Sequence, residues 1–262
     1  MLRSVVCAIY LFSCAVLGAP FDHSSWDKIL RDHVVLVNMG TASQVDYGKL
    51  KSNSVQLTEY LSSISQVSKK DYLTWPEAEK LAFLINAYNA FTFDLILTKY
   101  PNLKSIKDLG GLFSSPWKKK FIRLFDETTF LDYIEHEIIR KEFKEPRIHF
   151  AVNCASIGCP MLANEAFQAA KLNSQLENGI RSFLSDSTRN HYNKKSGFLE
   201  ISKIFDWYKE DFEKGNLGFN SIKDVMAKYA DVLTDDKAAQ ARIRNKTVEI
   251  KYLEYNWNLN KK

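Results

Sequence analysis

The chain is poor in cysteine. Its 262 residues hold four, and two of these, Cys7 and Cys14, fall in an apolar N-terminal stretch. No Cys-x-x-Cys occurs, so thioredoxin-like redox chemistry lacks its motif. No His-Glu-x-x-His or other paired-ligand spacing marks a zinc site. Proline and glycine are sparse as well, 6 and 10 residues, and nowhere gather with serine into a linker. No repeat or low-complexity tract breaks the chain. An excess of one charge is also missing: 36 basic residues stand against 31 acidic, a net charge of +5. No basic stripe is interleaved with aromatics. Lys118–Lys120 is too short for one and reads as a solvated loop, so no nucleic-acid partner is expected.

What is present begins with a leader. Arg3 precedes Val5–Leu17, apolar apart from Ser13, and the small-residue region Leu17-Gly18-Ala19-Pro20 follows. This is the layout of a secretory signal peptide. We expect removal near residue 19, residues 20–262 as a single domain, and a periplasmic or secreted protein. A lipoprotein signal at Leu11–Cys14 is disfavoured by the bulky Phe12. No later segment is read as a membrane span, so no transmembrane segment is expected in the mature chain. Removal of the leader leaves Cys154 and Cys159 as each other's only available partners, in a compartment where disulfides persist.

Helical periodicity dominates the rest. Ser24–Val37 reads as an entering helix and Leu57–Ile64 as a short amphipathic one. Thr74-Trp75-Pro76-Glu77 reads as a capping box opening Ala78–Thr98. That segment is apolar nearly all round and so is a central buried helix. Asn86 and Asn89 share one face of it, and buried amides need partners. They either tie down a loop or line a polar cleft, and both are candidate binding residues. Phe121–Phe125 reads as a strand, and Thr128–Lys141 and Asn164–Leu184 as helices. Gly197–Ile201 reads as a strand, Lys203–Glu213, Ser221–Ala230 and Asp235–Arg244 as helices, and Val248–Tyr255 as a last strand. The expected fold class is α+β, a predominantly helical single domain with a few short strands around a central buried helix.

Several segments recur together in one known family: Leu84–Ala90, Leu131–His136, Arg147–Cys154, Gly158–Pro160, Phe205–Tyr208 with Asp211-Phe212, and Tyr252–Trp257. On these the chain resembles the domain-of-unknown-function family numbered 547 (DUF547), over about Trp26 to Trp257. Its members are exported bacterial proteins and, with extra regions, plant proteins. The resemblance implies no particular activity, so the residues must carry the chemistry.

The richest stretch is Arg147–Ala163, RIHFAVNCASIGCPMLA. Cys154 follows an apolar, β-compatible segment and precedes a small-residue turn, which suits a nucleophile. Asn153 and the turn amides are candidate oxyanion donors. Base candidates are His136 and His149. His149 lies five residues before Cys154, on the opposite face of a strand or far round a helix, so the two meet only if the chain bends after Asn153. On the wheel of Leu131–Lys141, Glu135 falls in the apolar arc and His136 roughly opposite. Glu135 is then expected to orient His149 or to pair with Arg147, itself a candidate binding residue. His136, His149, Cys154 and Cys159 could supply four zinc ligands but lack a paired-ligand spacing; no metal or cofactor is expected. A Cys154–Cys159 disulfide would close a small loop worth about 2 kcal/mol of chain entropy, so it would serve mainly to shape a turn. Two functions follow. The first is an exported cysteine-dependent hydrolase or transferase acting on an amide, thioester or peptide. The second is a non-catalytic module binding a small molecule or peptide in a cleft shaped by the disulfide.

Overall fold

A computed structural model describes residues 20–111 and 114–262; the expected leader, with Cys7 and Cys14, lies outside the described residues. Helix α1 (Ser24–His33) stops where β-branched residues begin. Val34–Val37 is strand β1, not the end of the expected helix, and pairs antiparallel with β2 (Ala42–Val45), Val34 opposite Val45. A run of valines favours the pleated surface over the crowded helix turn. Short helices α2 (Tyr47–Ser52), α3 (Val55–Ser65) and α4 (Lys69–Thr74) follow.

Helix α5 (Glu77–Leu97) is the centre of the fold, and Leu81–Phe93 is buried without a break. By length and composition alone it would cross a membrane, which corrects the sequence reading; 83% of its apolar window is buried inside the protein. The capping box before it does not form. Thr74 ends α4, with its hydroxyl donating to the Asp71 carbonyl, and Pro76 precedes α5 without a side-chain cap.

Strands β3 (Ile122–Leu124) and β4 (Glu127–Thr129) form a hairpin. Its turn residues Phe125 and Asp126 both take positive φ, as a two-residue turn matched to strand twist requires. A π-helical segment (Tyr133–Ile139) leads into α6 (Arg140–Glu142). Helix α7 spans only Leu172–Ser185, because the backbone before it is bonded elsewhere: Asn86 takes both the N–H and the carbonyl of Phe167. Strands β5 (His191–Tyr192), β6 (Leu199–Ser202) and, at the end of the chain, β7 (Ile250–Leu253) form a mixed sheet in which β6 pairs parallel with β7. The expected helix Lys203–Glu213 is two short ones, α8 (Ile204–Trp207) and α9 (Lys209–Glu213). Helices α10 (Ile222–Lys228), α11 (Ala230–Leu233) and α12 (Lys237–Arg244) complete the α+β, mostly helical fold.

The core has two parts. One surrounds α5; the other is built from α7, the mixed sheet and α8–α12. Arg147–Ala155 runs along their seam: Ile148, Ala151 and Val152 pack into the first core and Phe150 into the second.

Candidate active site

The seam forces the focal stretch to turn. Pro146–Phe150 is a 3-10 helix, the helical one of the two conformations the sequence left open. Proline at its start fits a first helical turn. The chain then bends, and Ala155 takes a left-handed φ of 58°, a conformation that costs a non-glycine residue of order 1 kcal/mol. Asn153 holds the bend, its side-chain oxygen accepting from the Ala155 N–H. The C-terminal segment clamps the loop from outside. Ile157 and Gly158 donate to the carbonyls of Asn258 and Asn256, and Asn260 donates to that of Ala155. Gly158 allows a close approach: a Cβ there would lie 2.8 Å from the ring of Tyr255.

This bend brings the sequence candidates to one pocket of about 230 Å³. Its wall includes Cys154, Cys159, His149, Glu135 and His136. The two cysteines stand at disulfide distance, with Cα atoms 6.3 Å apart. Cys154 is half-buried and Cys159 buried. The Tyr255 hydroxyl lies 3.1 Å from Cys154 Sγ and 3.2 Å from Cys159 Sγ.

His149 is buried, and its ring stacks on Tyr208 at 3.8 Å. Its Nε2 lies 2.8 Å from Asp211 Oδ2 on α9. Burial pushes the Asp211 carboxyl up, but hydrogen bonds from His149, Arg140 and Lys214 outweigh it and hold the group below the usual carboxylate range. The same burial holds the His149 imidazole below its ordinary value, with the hydrogen bond to Asp211 and the charge of Glu135 opposing. A neutral ring facing an ionised acceptor carries its proton on Nε2. That leaves a lone pair on Nδ1, which is buried and has no hydrogen-bond partner. The nearest carboxylate on that side is Glu135, with Oε1 4.0 Å away.

Asp132, Glu135 and His136 form the opposite wall. On an α-helical wheel Glu135 and His136 point apart. Here the Arg140 N–H reaches back to the Glu135 carbonyl, five residues earlier. That wider winding turns less per residue, and both side chains reach the pocket. Such π segments are frequent at functional sites. His136 Nδ1 lies 2.9 Å from Arg140 Nη1 and its Nε2 3.8 Å from Asp132. Burial raises the pKa of Asp132. Burial likewise raises Tyr88 and Tyr208, with the Glu135 charge adding to it.

Four candidates lie away from the cavity. Asn89 donates to the Ala151 carbonyl and accepts from the Asn153 N–H, as Asn86 does for Phe167. Both are ties that hold loops to α5. Asn153 gives its amide N–H to the Pro160 carbonyl. Arg147 pairs with Glu145 and Glu177 rather than Glu135. Of the turn amides expected to form an oxyanion hole, all but that of Ser156 are committed. Those of Ala155, Ile157, Gly158 and Cys159 donate to protein oxygens, and that of Cys154 to Cys159 Sγ. Sequence reasoning missed Asp211, 62 residues from His149, and also Tyr255, Trp207 and Trp257, although all four fall in segments that carried the family resemblance. Among the described residues, no three His, Cys, Asp or Glu side chains group to hold a metal ion.

Fold and site together define a helical α+β protein with a seam pocket that pairs cysteines with histidine and carboxylates. Residues 72–184 match the family described as protein of unknown function, DUF547, which supports the assignment of this chain to that family. The matched stretch holds Glu135, His136, His149 and both cysteines; Asp211 and the Trp207, Tyr255 and Trp257 side chains lie beyond it. No curated protein and no solved structure matches the chain.

Proposed function

We propose that this pocket is a cysteine-dependent acyl-transfer site, active with Cys154 and Cys159 reduced, on an amide, thioester or peptide in an exported protein. The observation that carries it is the state of His149: Nε2 is anchored on Asp211, while Nδ1 is unpartnered in the same wall as Cys154. A neutral imidazole so fixed has the free lone pair that a general base needs. His149 Nδ1 takes the Cys154 proton, and Sγ attacks the substrate carbonyl. The proton then passes to the leaving group as the tetrahedral intermediate collapses, and water or an acceptor releases the acyl group in a second step. Asp211, not Glu135, is the positioning carboxylate. With most turn amides committed, the Tyr255 hydroxyl, 3.1 Å from Cys154 Sγ, is the donor at hand for the oxyanion. Cys154 is the attacking cysteine because it is the more exposed of the two.

A second reading, a non-catalytic binding module, is favoured by one observation, the disulfide distance between the two sulfurs. Alkylation separates the two. After reduction with dithiothreitol, iodoacetamide should label Cys154 fastest. Cys154→Ala should abolish the fast phase and Cys159→Ala retain it. Slow labelling of both cysteines, with no fast phase, supports the binding module and overturns the enzyme.

A further inference from the structure

The composition of the pocket wall says what its occupant carries. Six aromatic side chains line it, Tyr88, Trp117, Trp207, Tyr208, Tyr255 and Trp257. Trp207, Tyr255 and Trp257 form one continuous cluster, with ring centroids 4.5–5.6 Å apart. Two carboxylates, Glu135 and Asp132, share the wall, and no lysine or arginine does so among the described residues. Of the nearby cations, the exposed Lys118 acts on Asp132 from outside the wall, and two others are engaged elsewhere. Arg140 is held by Asp211 and His136, and the Lys107 ammonium sits 3.7 Å over the ring of Trp257. Aromatic faces and carboxylates around a small cavity attract cations and repel anions.

Hydrogen bonding points the same way. Glu135 Oε1 and the unpartnered His149 Nδ1 are both acceptors, 4.0 Å apart, with no protein donor on that nitrogen. A ligand ammonium against Glu135 Oε1 would give that carboxylate a charge-assisted donor and leave His149 Nδ1 free to take the cysteine proton. The cavity, about 230 Å³, is below the roughly 300–1,000 Å³ of drug-sized sites. It suits a small group or one end of a longer molecule.

We propose that the pocket recognises an ammonium group, and that the acyl group it handles carries a free amine, as an aminoacyl group or the N-terminal residue of a peptide does. The ammonium lies against Glu135 and Asp132 inside the aromatic ring, and the carbonyl faces the cysteine wall. The choice of acyl group rests on the acyl-transfer reading; recognition of the ammonium rests on the pocket wall alone.

The test is a binding titration on wild-type protein kept oxidised, so that no thiol reacts, read by tryptophan fluorescence. The probes are L-alaninamide and propanamide, which differ by one amino group. At pH 7 alaninamide should bind at least tenfold more tightly (~1.4 kcal/mol). The ratio should shrink above about pH 8 as the amine, near the usual α-amino range, loses its proton. Glu135→Gln should bring the ratio to within about twofold. Asp132→Asn, at a less buried position, should lower it in the same direction and serves where the Glu135 variant fails to fold. Equal binding of the two amides by wild-type protein, or a ratio unchanged in the folded variants, overturns the proposal. Failure of fast alkylation in reduced protein, with the amide ratio intact, sinks acyl transfer and leaves ammonium recognition standing.

Discussion

Two buried polar clusters in this protein differ in one respect. On α5, Asn86 and Asn89 are almost wholly buried, and each amide both donates to and accepts from a loop backbone. Each supplies to a loop what a neighbouring strand would supply. In the pocket, His149 is equally buried, yet only one of its nitrogens is bonded. Burial of polar groups alone therefore does not separate scaffold from site. Completeness does: a satisfied cluster stabilises the fold, while an incomplete one beside a cavity has capacity left for a ligand or a proton.

The largest effect belongs to the complete cluster. Asn86→Ala leaves the buried Phe167 N–H and carbonyl without partners, and each such loss costs about 1–3 kcal/mol. We expect about 2–5 kcal/mol of destabilisation in urea unfolding, with a comparable loss for Asn89→Ala. His149→Gln, which still offers Asp211 a donor, should cost less than half as much. If the order reverses, completeness is the wrong criterion.

His23 sharpens the comparison because it is also half-satisfied. Its Nδ1 bonds to the Tyr60 hydroxyl at 2.7 Å, and its Nε2 is buried without a partner. Its surroundings include Phe21, Tyr60 and Phe83, with no cysteine among the described residues of the adjoining cleft, so only stability should register it. Burial lowers its pKa from 6.5 to about 4. The folded value lies below the unfolded one, so the unfolded chain binds the proton first. Stability is full above about pH 6.5 and falls as pH drops toward about 4, by about 3 kcal/mol for this group. Stability measured against pH should show this acid limb, and His23→Gln should flatten it by a corresponding amount.

How much of this was legible follows the range of each interaction. The three-residue spacing of Asn86 and Asn89 placed them on one face of a buried helix, and the need for partners followed from burial. The partners, Phe167 and Ala151, are tertiary and left no local trace. Spacing also showed that His149 and Cys154 meet only across a bend, but not that Ala155 would take positive φ to make it. The wheel of Leu131–Lys141 failed for a physical reason: it assumed α-helical winding where the chain is π-helical, and so sent His136 away from Glu135. Asp211 was hidden by distance along the chain. Val34–Val37 was misread because helical periodicity was carried through a β-branched run that pairs as a strand.

Next in size is the pocket's own chemistry. A cysteine at its ordinary pKa of about 8.5 is only a few per cent thiolate at pH 7. If His149 takes the Cys154 proton as Sγ attacks, the reduced wild-type protein should alkylate at pH 7 well ahead of its free-thiolate fraction. His149→Gln should be slower by up to about 30-fold at that pH and recover as pH rises through about 8.5. Asp211→Asn should fall between them, because it keeps the imidazole but loses the charge that fixes its proton on Nε2. A pH profile identical in all three proteins would place His149 with the asparagines of α5, as scaffold.

The smallest effect tests the rim. An added methyl at Gly158 would meet three ring carbons of Tyr255 at 2.8–2.9 Å, and overpacking of this kind costs about 1–3 kcal/mol. Here the ring is half-buried and packs on Trp207 and Trp257 toward the pocket, so it can swing and relieve most of the clash. We expect Gly158→Ala to cost about 1 kcal/mol of stability. The larger change should be in tryptophan fluorescence and in alkylation of Cys154, because the hydroxyl leaves its place beside the sulfurs. Stability lost without either functional change would mean that Tyr255 only props the loop, and that the incomplete cluster ends at His149.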